Sequence, residues 1–453
     1  MSAILGLVSG KTFSDNSFHN RNNRRRIFHD YPVGQFPLTG LLSLMDTEET
    51  DSSEFGWYEK RFETPETTLD TTAAFTNTSN VSLGATATLV AGTTYRVIVA
   101  STASFQARQQ IWIPDLYVSA GVFTEVKGVI TQIVSATILE FTASQATGAI
   151  VNSGTSPTGV INTKCYCIGN AYGEGATSGS GRFYPPINVT NYTQIFRNAF
   201  SFTRSALKSP TNFDKTGIYR EKAEDNLRQH MVEMEMAFLF GAKRTENVTE
   251  GGETVPRRLT GGIIYFLEQW EAANSVYRGG SGAPAVTSIT DDLKRIIPAT
   301  SSTVTFKVFN QWLERAFRTT NDKSFEKLML CGSGFLAAVN TILESKASLN
   351  KDFGVQKVYG MNVVTWETPF GTIHFKTHPL FSRQANLRYN GLLLDVQNLK
   401  FRALNDSDTT LLTNRQAPDY DGRKDEWITE AGLEVNFPES CMYLKDVQTI
   451  SAT

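Results

Sequence analysis

The clearest helical periodicity runs from about Gly217 to Phe240, where Tyr219, Ala223, Leu227, Met231, Met234 and Phe238 recur at three- to four-residue spacing. Arg220, Glu221, Glu224, Asp225, Arg228 and Glu235 fall mostly elsewhere around the helix, and Gly241 stands where a C-terminal cap belongs. At 1.5 Å per residue such a helix is a rod of about 35 Å, long enough to be the backbone of a domain. Shorter helical patterns at about Phe306 to Thr319 and Gly334 to Lys346 bracket an apolar strand, Lys327 to Cys331. Strands are predicted at Val355 to Thr368, Gly371 to Thr377, Leu392 to Leu404 and Trp427 to Leu444, the first two joined by a turn at Pro369 to Gly371. This alternation predicts an α+β or mixed α/β body.

From about 76 to 168 the chain changes character. Thr, Ser, Val, Ala and Gly dominate, with short β-type runs at Thr94 to Ala100, Gln109 to Pro114, Thr124 to Ser135 and Thr137 to Thr142. Strands at that spacing predict a small sandwich or barrel inserted into the chain. Beyond it lies a glycine-serine stretch, Gly173 to Gly181. Residues 53–64 alternate so that Phe55, Trp57, Glu59 and Arg61 share one side of a strand, and Tyr58, Lys60 and Phe62 the other. Aromatics and charges occur on both sides. That suits a ribbon that projects and buries itself against another subunit, or an ordinary edge strand with mixed faces. Residues 1–36 are polar and rich in Asn and Arg, with Arg21, Arg24, Arg25 and Arg26 in one run. They predict an extended arm that contacts phosphate or an acidic neighbour, or a solvated tail. Phe36 to Met45, a short apolar helix or turn, follows.

Composition narrows the function classes. The chain has 453 residues, and 43 Lys plus Arg against 45 Asp plus Glu give a net charge of -2. A dedicated nucleic-acid binder would carry a basic excess, and a solvating acidic protein the opposite; both are excluded. Charged residues are 19% and aromatics 11%, against a usual charged share of about 25%. Part of the surface is therefore expected to be buried against partners. Four cysteines are too few for a disulfide scaffold and fit a reducing compartment. No run of 18 apolar residues occurs, which predicts a soluble chain made in the cytoplasm, without membrane insertion.

No catalytic constellation assembles. Cys331-Gly332-Ser333-Gly334 lies between strand and helix, yet it lacks the Gly-x-Ser-x-Gly spacing of a nucleophile elbow and the Lys of a phosphate loop. His374 and His378 would chelate zinc on a helix, but on a strand four residues span about 13 Å, too far for one ion. Cys165 and Cys167 have no matching second pair, and His230 faces either core or solvent. The chain reads as a structural or binding protein, not an enzyme, with no cofactor or metal.

Several stretches together resemble a known family. Phe36 to Met45, Ser53 to Phe62, Glu174-Gly175, Asn191 to Arg197 and Glu233 to Gly241 are similar, in order, to the major capsid proteins of tailed bacteriophages. The nearest likeness is to the subfamily with a β-domain inserted in the extended loop. The match covers most of residues 36–270. It implies an α+β fold of the Hong Kong 97 type: N-terminal arm at 1–50, extended loop at 51–75 and 169–190, and inserted β-domain at 76–168. The peripheral domain would be 191–259 and 391–453, with its spine helix at 217–240, and the axial domain 260–390.

The same resemblance implies a protein that builds the pentamers and hexamers of an icosahedral shell around phage double-stranded DNA, made in the host bacterial cytoplasm and residing in the virion. Its partners would be itself, a portal, scaffolding or decoration proteins, and packaged DNA held without specificity, with no membrane. Phe55, Trp57, Tyr58, Glu59, Lys60 and Arg61 of the loop and Arg24, Arg25 and Arg26 of the arm are the candidate inter-subunit contacts. The alternative is a receptor- or carbohydrate-binding virion protein, suggested by the Thr/Ser-rich insertion.

Overall fold

A computed structural model describes residues 38, 48–60, 65–69, 74–119, 122–152, 164–177, 179, 181, 183, 185–208, 218–250, 252–277, 294–298, 303–318, 325–345, 355–358, 361–405 and 407–451. The arm predicted at 1–36, with Arg24 to Arg26, lies outside them, as do Arg61 and Phe62. The described residues fall into two compact units, one within Met1–Trp57, Asn188–Asn274 and Ser288–Thr453, the other within Tyr58–Ile187 and Ser275–Thr287.

The second unit is built on a seven-stranded sheet in the order Glu66–Thr68, Lys164–Asn170, Gln109–Ser119, Val122–Ser135, Ile138–Ala143, Thr94–Ile98, Phe75–Thr76. Period-two alternation drives Ile111, Ile113, Leu116, Val126, Ile130, Leu139, Phe141 and Val97 to one apolar side, each at most 1% exposed. The strand predicted to stop at Pro114 continues to Ser119. A register shift between Ile113 and Leu116, with Asp115 at φ 55°, absorbs the proline as a bulge. Asn152 acts as a surrogate strand: its Oδ1 accepts from the Phe75 amide at 2.7 Å, and its Nδ2 donates to the Phe75 and Gly84 carbonyls.

The first unit contains two larger sheets. One has the order Glu48–Thr50, Leu399–Leu404, Gly422–Val435, Gln194–Thr203, with Thr410–Leu412 also paired to Gly422–Val435. The long helix, Ile218–Phe240, packs on it: Phe238 meets Phe196 at 6.1 Å and Phe401 at 6.0 Å, and Trp427 Nε1 donates to the Ala223 carbonyl at 3.1 Å. The chain leaves this helix at Gly241, where a Cβ would come within 2.4 Å of the Ala237 carbonyl, so only glycine passes. His230, left open between core and solvent, is fully buried, with Asn198 Oδ1 at 2.6 Å and Thr429 Oγ1 at 2.8 Å. Glu235, placed by periodicity among the polar positions, is also fully buried.

The other sheet runs Ile296–Pro298, Met442–Lys445, Gly391–Leu394, Glu326–Cys331, Gly371–Thr377, Met361–Thr368, Val355–Val358. Helices Phe306–Arg318 and Ser333–Ser345 share an apolar cluster with it through Phe309, Trp312, Phe335 and Val339. Three predicted strands are divided. Val355 to Thr368 is a hairpin of two strands. Leu392 to Leu404 breaks at a 3-10 turn, Val396–Asn398, and its halves join different sheets. Trp427 to Leu444 breaks where Phe437 takes φ 47° ahead of Pro438, and again its halves part. These two crossings tie the sheets together.

Candidate inter-subunit surfaces

Strand Glu54–Glu59 pairs with Ile187–Tyr192 in a two-stranded ribbon. Burial alternates strictly, with Phe55, Trp57 and Glu59 inward and Glu54, Gly56 and Tyr58 outward. The two rings stand 6.2 Å apart, and Trp57 lies 5.7 Å from Phe266. A Cβ on Gly432 would fall 2.6 Å from the Phe55 ring, so glycine makes room for that side chain. Of the candidate contacts, Phe55 and Trp57, 7% and 6% exposed, pack in the chain's own core, and Glu59 is buried as well. The outward side remains: Tyr58 is 73% exposed, and exposed Lys60 places its Nζ 5.7 Å over the ring of Phe183, itself 78% exposed.

A second surface was missed from sequence. Strands Arg244–Glu250 and Glu253–Leu259 form a fully registered antiparallel hairpin, from Arg244 opposite Leu259 to Glu250 opposite Glu253. Neither strand has a single buried position. Arg257 bridges Glu246 and Glu250 at 3.4 and 3.2 Å, and Arg244 reaches Glu246 at 3.3 Å. Exposed pairs of this kind add little stability, and a two-stranded hairpin is marginal alone in water. The signal was present in the Gly251-Gly252 pair between Val248 and Val255, a two-residue hairpin loop.

The sequence elements weighed for chemistry take structural places. A Cβ on Gly332 would lie 2.1 Å from the Arg388 carbonyl, and one on Gly334 would lie 2.6 Å from the Tyr389 ring. The glycines permit a close crossing of two chain segments, with Ser333 exposed beside them. His374 sits 3.1 Å from Thr365 Oγ1, whereas His378 turns to Glu235 at 3.0 Å. Burial pushes the Cys165 and Cys331 thiols up to about 12, away from nucleophilic use. Among the described residues no group of His, Cys, Asp and Glu gathers as a metal site, and no helix is long and apolar enough to cross a membrane.

A family model described as the SU10 major capsid protein matches residues 32–448. The chain belongs to the SU10 major capsid protein family. It is therefore a structural protein of a phage capsid, not an enzyme, and a virion component. The major capsid protein of Pseudomonas phage PaMx41 is 25% identical over 307 residues, which cover 63% of this chain and 66% of that relative, just under two thirds of its length. Solved structures overlap more loosely. The capsid asymmetric unit of cyanophage A-1(L) aligns at 13% identity and TM-score 0.40, over 62% of this chain and 85% of that one. The capsid of cyanophage P-SCSP1u aligns at 11% and 0.34, over 77% and 85%. An encapsulin of Synechococcus elongatus PCC 7942 aligns at 8% and 0.37, over 60% and 79%.

Proposed function

We propose that this capsid protein self-assembles, without catalysis, into the pentamers and hexamers of an icosahedral shell enclosing double-stranded phage DNA. In this reading the fold is of the Hong Kong 97 type. The sheet unit of residues 66–170 interrupts the extended loop, the helix Ile218–Phe240 is the spine of the peripheral domain, and the sheet around Glu326–Cys331 forms the axial domain.

The observation that carries the reading is the hairpin Arg244–Leu259. It carries Arg244, Arg257 and Arg258 against Glu246, Glu250 and Glu253, so its charges balance and one copy complements another. Burial against a second copy supplies the stability that an isolated hairpin lacks. Tyr58 and Phe183, exposed aromatics of the kind enriched at interfaces, provide a second contact, with Lys60 lying over the Phe183 ring. Near-zero net charge suits a wall that encloses DNA without gripping it. Portal, scaffolding and decoration proteins are the further partners this reading entails.

Purified protein, alone or with a scaffolding protein of its phage, is expected to sediment as closed particles. Arg257→Glu, which turns two attractive pairs repulsive, should leave a folded chain that no longer closes shells. A folded wild-type chain that stays monomeric under both conditions would refute the proposal.

A further inference from the structure

The long helix buries a carboxylate that the sheet packing does not call for. Glu235 is fully buried, and its Oε1 accepts the backbone N–H of Leu38 at 2.9 Å. Leu38 is also fully buried and belongs to the same apolar cluster as Met234, Phe238 and Phe381. The same Oε1 lies 3.0 Å from His378 Nε2. His378 is fully buried too, stacked on Phe381 with ring centroids 4.7 Å apart. Its Nδ1 accepts the Leu380 amide at 3.2 Å as the N-cap of helix Pro379–Arg383. With Nδ1 engaged as an acceptor, the ring proton sits on Nε2 and points at Glu235. One oxygen thus receives two donors, from residues 38 and 378, distant in sequence from each other and from the helix.

Burying a carboxylate is costly unless its hydrogen bonds are satisfied. A leucine at 235 would serve an apolar core without that cost. We infer that Glu235 is the anchor for the main chain at Leu38, a carboxylate that grips its backbone amide. His378 is a positioning residue that holds the carboxylate in register. The recognition is of backbone, so the side chain at 38 supplies apolar burial while the Glu235 contact fixes the position of its amide. Because His378 also caps helix Pro379–Arg383, the hold on Leu38 and order at that corner are coupled through a single oxygen atom.

The test is amide hydrogen exchange at Leu38 in the full-length protein. In wild type this amide should exchange slowly. Glu235→Met, close in shape but without an acceptor, should speed it at least about tenfold, whereas Glu235→Gln, which keeps an acceptor oxygen, should retain most of the protection. His378→Asn separates the two duties of the histidine. Asparagine can still cap the helix but is too short to reach Glu235, so Leu38 should lose protection through the lost hold on the carboxylate. Amides of strand Glu326–Cys331 report on the fold and should stay protected in all variants. Unchanged Leu38 exchange in both Glu235→Met and His378→Asn, with those reference amides protected, would overturn the assignment. So would wild-type exchange at Leu38 as fast as in an open chain.

Discussion

The two units are stabilised in different ways. The sheet unit of residues 66–170 keeps a largely apolar core, with Gln109, Glu140 and Asn152 among its buried polar groups. The other unit buries His230, Glu235, Arg295, Lys327, His378, Asp395 and Asp425 inside or beside its apolar clusters. Each of several such groups joins segments far apart in the chain. Lys327 Nζ donates to the carbonyls of Ala316 at 2.8 Å and Ser440 at 2.6 Å, and burial pulls its ammonium below the usual range. Asn191 Nδ2 reaches Thr260, Gly261 and Leu433. The sheet unit rests mainly on two-sided alternation, with Asn152 pinning Phe75 and Gly84. The body is a discontinuous domain whose pieces are indexed by buried polar contacts, which demand one geometry where apolar packing tolerates several.

Four substitutions break or sharpen that contrast. Phe141→Ala removes a fully buried ring that packs on Phe75 and Tyr95. It should cost about 4 kcal/mol, read by calorimetry as a shift in one transition, that of the sheet unit, while the body transition stays. Lys327→Met does the reverse. It leaves the Ala316 and Ser440 carbonyls unpaired and should lower body stability by about 3 kcal/mol with the sheet-unit transition in place. A shift of both transitions in either variant would show that the two cores do not melt separately.

Acid gives the next effect. Burial holds His230 below its ordinary 6.5, with the Glu233 charge opposing. The unfolded chain then takes up a proton near pH 6.5 that the folded chain resists. This contribution is complete above that pH and is lost as pH falls below it, levelling off under the lowered folded value. Denaturant titrations at pH 7.5 and 5.5 should show that loss, and His230→Gln should flatten it; an unchanged slope would remove His230 as its source. Smallest in stability is Arg257→Glu on the exposed hairpin, within about 0.5 kcal/mol of wild type. Its effect should appear in particle yield by sedimentation, with the melting profile nearly unmoved.

The same contrast explains what was legible in the sequence. Periodicity located the long helix within a residue, from Gly217 predicted to Ile218 observed, and placed four strands of the sheet unit, because burial on one side writes itself into alternation. It failed where geometry depends on a distant partner. Glu235 looked like a polar surface position because nothing within the helix reveals Leu38 or His378. The strand breaks at Val396–Asn398 and Phe437-Pro438 were hidden inside apolar runs that continue in another sheet. For the surfaces, alternation assigned the sides of Glu54–Glu59 correctly but could not say which side the chain keeps. The hairpin at 244–259 was overlooked because its Gly-Gly loop joins strands with hardly any apolar pattern.

The central claim is that the exposed hairpin and the outward side of the ribbon become buried between copies in a closed shell. Cryo-electron microscopy of assembled particles tests it directly. The account predicts icosahedral shells in which Arg244–Leu259 and the Tyr58, Lys60 and Phe183 side chains lie against neighbouring copies. Shells in which both remain bathed in solvent, or protein that forms no shell under any assembly condition, would contradict it.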